Sequence, residues 1–92
     1  MLDFNHYYIP THTQQALLDY VEHGYEPGGF LYSVLCNDLI GAVSRADASN
    51  LESLRDIAQF VYNEMPSNCH GNEAIVVRYL QDHPARQPKV VE

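Results

Sequence analysis

Between Leu31 and Ala46, apolar residues recur at helical spacing without a gap, and this run constrains the chain more than any other feature. Its members are Leu31, Val34, Leu35, Leu39, Ala42, Val43 and Ala46. Spacings of three and four place them along one side of a helix that advances about 100° per residue. Pro27, favoured at the first helical position, announces the start, so the pattern predicts one continuous helix over residues 27–46. Asp47 interrupts the period. A third helix is then expected over 49–65, capped by Asp47 or Ser49, with Ser49 and Glu52 spaced as a capping box. Its predicted inner face is Leu51, Leu54, Ala58, Val61, Tyr62 and Met65, and Pro66 stops it.

The first helix is predicted over 11–23. Thr11 and Gln14 are spaced as a capping box, Ala16, Leu17, Tyr20 and Val21 form the inner stripe, and Gly24 suits a left-handed C-cap that lets Tyr25 fold back on Tyr20. Asn72 can cap a fourth helix over 72–83 that carries Ile75, Val76, Tyr79 and Leu80. Residues 1–9 read as an extended arm, held out of helix by Pro10, and residues 84–92 as a frayed tail. The expectation is an all-α protein: one compact four-helix domain over residues 1–83, orthogonal or up-down in arrangement, with short connections. Ninety-two residues of which 46% are hydrophobic allow one such core.

Charge narrows the partners. Twelve acidic residues against five basic ones leave a formal charge of −7. Such a surface repels nucleic acid backbones, which are bound through Lys and Arg, and is drawn to basic protein surfaces. Direct nucleic acid binding is therefore not expected. No apolar run approaches the ~20 residues of a membrane span, and no secretory leader is recognisable. Cys36 and Cys69 read most simply as reduced thiols in a cytoplasmic protein.

Three features could carry chemistry. Glu26-Pro27-Gly28-Gly29-Phe30 could offer backbone N–H groups to a phosphate, but nucleotide loops need a preceding strand and further glycines, and Glu26 repels anions. A tight turn leading into the helix is the simpler reading. Asp38 falls between Val34 and Ala42 on the apolar stripe, with Arg45 on nearly the same line. A carboxylate there must be paired or hydrogen-bonded, so Asp38 is expected as a structural acid that caps a neighbouring helix or pairs with Arg45 or Arg55, with Arg45 as its structural polar neighbour; the functional alternative is a polar hole for ligand or partner recognition. The five histidines, His6, His12, His23, His70 and His83, form no zinc spacing, and no nucleophile, base and orienting group come together. No metal, cofactor or enzymatic activity is expected.

What remains is surface. Seven tyrosines stand in the chain with no tryptophan. Tyr20, Tyr62 and Tyr79 fall on predicted inner faces, whereas Tyr7, Tyr8, Tyr25 and Tyr32 do not. Tyrosine suits interfaces because it gives apolar area with a hydrogen-bonding tip; the arm tyrosines could equally pack on their own domain. The acids Asp19, Glu22, Glu26 and Asp56 lie off the apolar lines. With Tyr25 and Tyr32 they are the candidate partner-binding residues, and the same surface leaves a homodimer open.

The runs Ile9-Pro10-x-His12-Thr13, Gly28-Gly29-Phe30-Leu31, Asn37-Asp38-Leu39, Arg45-Ala46-Asp47 and Tyr62-Asn63-Glu64-x-Pro66 resemble those of short uncharacterised proteins of tailed phages and prophages, over residues 9–66. That group brings no assigned activity. The resemblance implies a phage accessory protein working in the host cytosol. By analogy of class, small acidic phage proteins act on host defence by occluding a basic site, as many CRISPR inhibitors do. The leading expectation is a non-enzymatic inhibitor or modulator of a basic host protein. The alternative is a sponge for a nucleotide signal or other small molecule, using the Gly28-Gly29 helix start with Arg45 or Arg55.

Overall fold

The computed structural model describes residues 2–82, and within them the chain is helical with no strand. In chain order the helices are α1 (Thr11–His23), α2 (Gly29–Leu35), α3 (Leu39–Arg45), α4 (Ala48–Glu52), α5 (Leu54–Glu64) and α6 (Glu73–Gln81), with a 3₁₀ turn at Ser67–Cys69 ahead of α6. The all-α expectation holds, but two of the four predicted helices are each cut in two. The predicted tail, residues 84–92, and His83 at the end of the fourth predicted helix lie outside the described residues.

The larger break falls in the run that looked most continuous. Asn37 has φ 63°, in the left-handed region. Its N–H donates to the Val34 carbonyl at 3.0 Å, and the Asp38 N–H donates to the Ser33 carbonyl at 2.8 Å. Those two bonds are a Schellman ending, with Asn as the tolerated left-handed residue. Asp38 then opens α3 as its N-cap, its Oδ1 accepting the Gly41 N–H at 3.0 Å. Asp38 is therefore exposed, not a buried acid in an apolar stripe. The break resets the helical phase, so Leu39 and Val43, predicted inside, are exposed and only Ala42 of α3 is buried.

The start of α2 also differs. Gly28 is the N-cap, and Pro27 lies one residue further out, buried against the domain rather than at the first helical position. Of the two expected caps of the third predicted helix it is Asp47 that forms, accepting the Asn50 N–H at 2.8 Å and the Ser49 hydroxyl at 3.0 Å, so the helix starts at Ala48 rather than at 49. It is interrupted at the buried Ser53. The core face of α5 is Ile57, Phe60 and Val61, about one residue out of phase with the prediction, and Leu51, Ala58 and Tyr62 point outward.

Elsewhere the local reading matches. Gly24 caps α1 with φ 70°, and Asn72 accepts the Ile75 N–H at 2.9 Å to open α6. The Thr11 capping box does not form; Pro10 precedes α1 and Gln14 reaches back to the Ile9 carbonyl instead. The core is one apolar cluster in which Leu17, Tyr20, Leu35, Ile57, Phe60 and Val76 are sealed from solvent. Its polar members are satisfied: the Tyr20 hydroxyl donates to the Cys69 carbonyl at 2.7 Å, and Thr13 donates to Asn50. The arm packs on its own domain. Phe4 stacks on Phe60 at 4.4 Å, and Tyr7 meets the same ring edge-on at 5.2 Å. Cys36 and Cys69 are free thiols.

Candidate functional site

The ends of α2 and α3 and the start of α6 enclose a polar recess of about 580 Å³. Pro27 and Gly29 form its rim at the head of α2, and Tyr32, Ser33 and Cys36 descend from that helix. Asp38 and Arg45 come from the two ends of α3, and Glu26 and Glu73 complete the wall. The break at Asn37 makes this arrangement, because it folds α3 back on α2 and brings Arg45 beside Ser33. The Arg45 Nη1 donates to the Ser33 hydroxyl at 3.0 Å. Gly41 allows the closure: a Cβ there would stand 2.3 Å from Asp38 Oδ2 and 2.6 Å from Arg45 Nη1.

Three carboxylates therefore face one recess against a single guanidinium, and that guanidinium is already hydrogen-bonded. The Tyr32 hydroxyl donates to Glu73 at 3.2 Å. Burial, with the neighbouring Cys36 and Glu73, pushes its pKa up to about 12, so it remains a donor at any physiological pH. The Cys36 thiol is also raised, by burial first and then by the charges of Glu73 and Asp38. That is the reverse of what activates a cysteine nucleophile. Among the described residues no group of His, Cys, Asp and Glu side chains could hold a metal ion, and no helix is long and apolar enough to cross a membrane.

Of the predicted site residues, Glu26, Tyr32, Asp38 and Arg45 come together here. The expected internal Asp38–Arg45 pair does not form: the close ion pairs among the described residues are His12–Asp47 at 3.6 Å and His23–Glu22 at 4.0 Å. The other candidates stand apart from the recess. Asp19 accepts from Gln15 at 3.0 Å within α1, Glu22 lies beside His23, and Tyr25 sets its ring 5.4 Å from that of His23. The Tyr20 ring lies 5.0 Å from that of Tyr79. The Asp56 Oδ2 accepts the Tyr8 N–H at 2.8 Å and ties the arm to α5. Sequence reasoning missed Ser33, Cys36 and Glu73. Nothing in the sequence joins Glu73 to Tyr32 across 41 positions.

The chain matches no protein-family model, no curated protein and no solved structure. What defines it is its own geometry: a small all-α protein with an acidic, tyrosine-bearing recess at a helix junction.

Proposed function

We propose that this is a non-enzymatic binding protein of the phage accessory type, and that it inhibits or modulates a host protein by taking a basic side chain of that protein into the recess. One observation supports this above the others. Glu26, Asp38 and Glu73 line one recess with Tyr32, so an arginine or lysine entering there meets three carboxylates and an aromatic side chain for its aliphatic stem. The charge of −7 steers such a partner toward the surface before contact. That chemistry supports occlusion of a basic functional site, the mode by which the anti-defence and CRISPR-inhibitor classes act.

The nucleotide-sponge reading is less favoured. Its two arginines line different recesses, Arg45 in the acidic one and Arg55 in an apolar one between α3 and α5. Arg45 is moreover held by Ser33 amid three carboxylates. An anion would meet repulsion from those carboxylates.

The test compares the wild type with a Glu26→Lys/Glu73→Lys variant as bait in a bacterial host lysate. The expected result is a basic protein retained by the wild type, released by salt, and lost with the double reversal. A retained protein that ignores the reversal, or binding that tightens with added nucleotide, would overturn the proposal.

A further inference from the structure

Helix α5 is apolar on two sides. Ile57, Phe60 and Val61 enter the core, whereas Leu54, Ala58 and Tyr62 form a second line at four-residue spacing, with Leu54 half-buried against the core and Ala58 and Tyr62 exposed among the described residues. Tyr62 is 81% exposed. Alongside it, α3 presents Leu39 at 65% and Ile40 at 75% exposure, with Val43 one turn on. Between the two helices lies a recess of about 350 Å³ walled by Val34, Leu39, Ala42, Leu54 and Ala58. It adjoins a second, of about 410 Å³, under Tyr62, and the two share Val34, Asn37 and Ala58. Apolar side chains grouped on one face in this way mark an interaction surface on a small protein.

From this we infer that the α3–α5 face is the interface of a homodimer, with Ile40 and Leu39 of each copy seated in the α3–α5 groove of the other. The argument for a second copy is complementarity. A two-fold interface must carry both its projections and its hollows on one patch, and here Leu39 lines the groove while Ile40, next in the chain, is exposed. The charges match as well. The first recess has one acid, Asp38, and one base, Arg55, so a two-fold axis can set Asp38 of one copy against Arg55 of the other. A chain of charge −7 repels its own copies over most of its surface. On this face the charges cancel. Asp38 lines both this groove and the acidic recess, so the two surfaces meet there, but Arg55, Leu39, Ile40 and Tyr62 do not line that recess.

Sedimentation equilibrium of the full chain from micromolar to millimolar concentration tests the inference. The wild type should show a monomer–dimer equilibrium. Ile40→Glu should weaken it by at least about 100-fold, because each interface loses two buried anchors, one per copy, each worth more than tenfold. Arg55→Glu should weaken it by roughly tenfold, because at each of the two equivalent contacts it sets a carboxylate against Asp38 of the other copy. Glu26→Lys should leave it unchanged. Circular dichroism checks that each variant folds; should Ile40→Glu fail, Tyr62→Ser at an exposed position carries the test. A monomer across the whole range would overturn the inference. So would a dimer indifferent to Ile40→Glu and Tyr62→Ser, or a monomer that uses Ile40 only to hold a different protein.

Discussion

Helices α2 and α3 are each seven residues long and are separated by three residues, yet they do opposite work. Of α2, Phe30, Leu31, Ser33 and Leu35 are buried; of α3, only Ala42. Both were drawn from a single apolar run, and their composition does not explain the contrast. Phase does. Had the helix continued, Leu39 and Val43 would have followed Leu31 and Leu35 into the core. The left-handed Asn37 and the capping Asp38 turn the second half away, so the same hydrophobic pattern supplies core in one segment and surface in the next. A periodic run states that a helix has an apolar face, and the breaks within it decide what that face meets.

Paired truncations should expose this contrast most strongly. Leu35→Ala removes a side chain with no solvent exposure and should cost about 3 kcal/mol in urea denaturation. Ile40→Ala, measured at a dilution that keeps copies apart, should change stability by less than about 0.5 kcal/mol. Comparable losses from the two would mean that α3 is packed as deeply as α2. The hinge itself is the next largest effect. A β-branched residue is poorly tolerated at φ 63°, so Asn37→Val should destabilise by about 1–2 kcal/mol, while Asn37→Gly should be close to neutral. Equal effects from both would remove the left-handed turn from the account.

Much of this was legible in the sequence, and the failures share a cause. The α1 bounds, the Gly24 cap, the Asp47 and Asn72 caps and the all-α class follow from local chemistry, since each depends on residues within a turn of one another. Asn37-Asp38 carried a local signal too: Asn is the residue after Gly most at ease in a left-handed ending, and Asp is among the best N-caps. The apolar period running through both residues hid it. On α5 the signal was ambiguous in kind. Leu54, Ala58 and Tyr62 compete with Ile57, Phe60 and Val61 for the inward face, and only packing against the arm ring Phe4 and the rest of the core selects the second set. The recess was half legible. Glu26, Tyr32, Asp38 and Arg45 each stand out in the sequence, but their meeting depends on the hinge, and Glu73 joins them only through the tertiary fold.

The junction offers a finer test in Gly41. An alanine in a helix normally gains up to about 1 kcal/mol over glycine. Here the added Cβ would displace the Asp38 carboxylate that caps α3 and the Arg45 guanidinium beside it. The cap is worth about 1 kcal/mol, so Gly41→Ala alone should yield no net gain. In an Asp38→Ala background the cap is already gone, and the same substitution should stabilise by several tenths of a kcal/mol or more. The double-mutant cycle measures that coupling directly. Additive effects would mean that Asp38 and Gly41 are independent and that the close approach is not what holds α3 against α2.

The smallest expected effect concerns the neighbouring break, where Asp47 opens α4. Its pKa is lowered by the Asn50 backbone N–H first, then by the Ser49 hydroxyl and by His12 3.6 Å away. A carboxyl whose folded pKa lies below its unfolded value stabilises the fold fully above the ordinary carboxylate range, near pH 4, and loses that contribution as pH falls through the folded value. Asp47→Asn keeps a competent cap and removes only the charge. The urea midpoint of the wild type should therefore exceed that of the variant slightly at pH 6. The gap should close as the solution is taken down through pH 4. High salt should narrow it at pH 6 as well, because the carboxylate is open to solvent and its interactions are screened. A gap that widened on acidification would reverse the sign and show that the Asp47 charge opposes the fold. α4 would then be held by packing at Asn50 and Ser53 alone, unlike α3, whose packing ends with Ala42 and whose start rests on its cap.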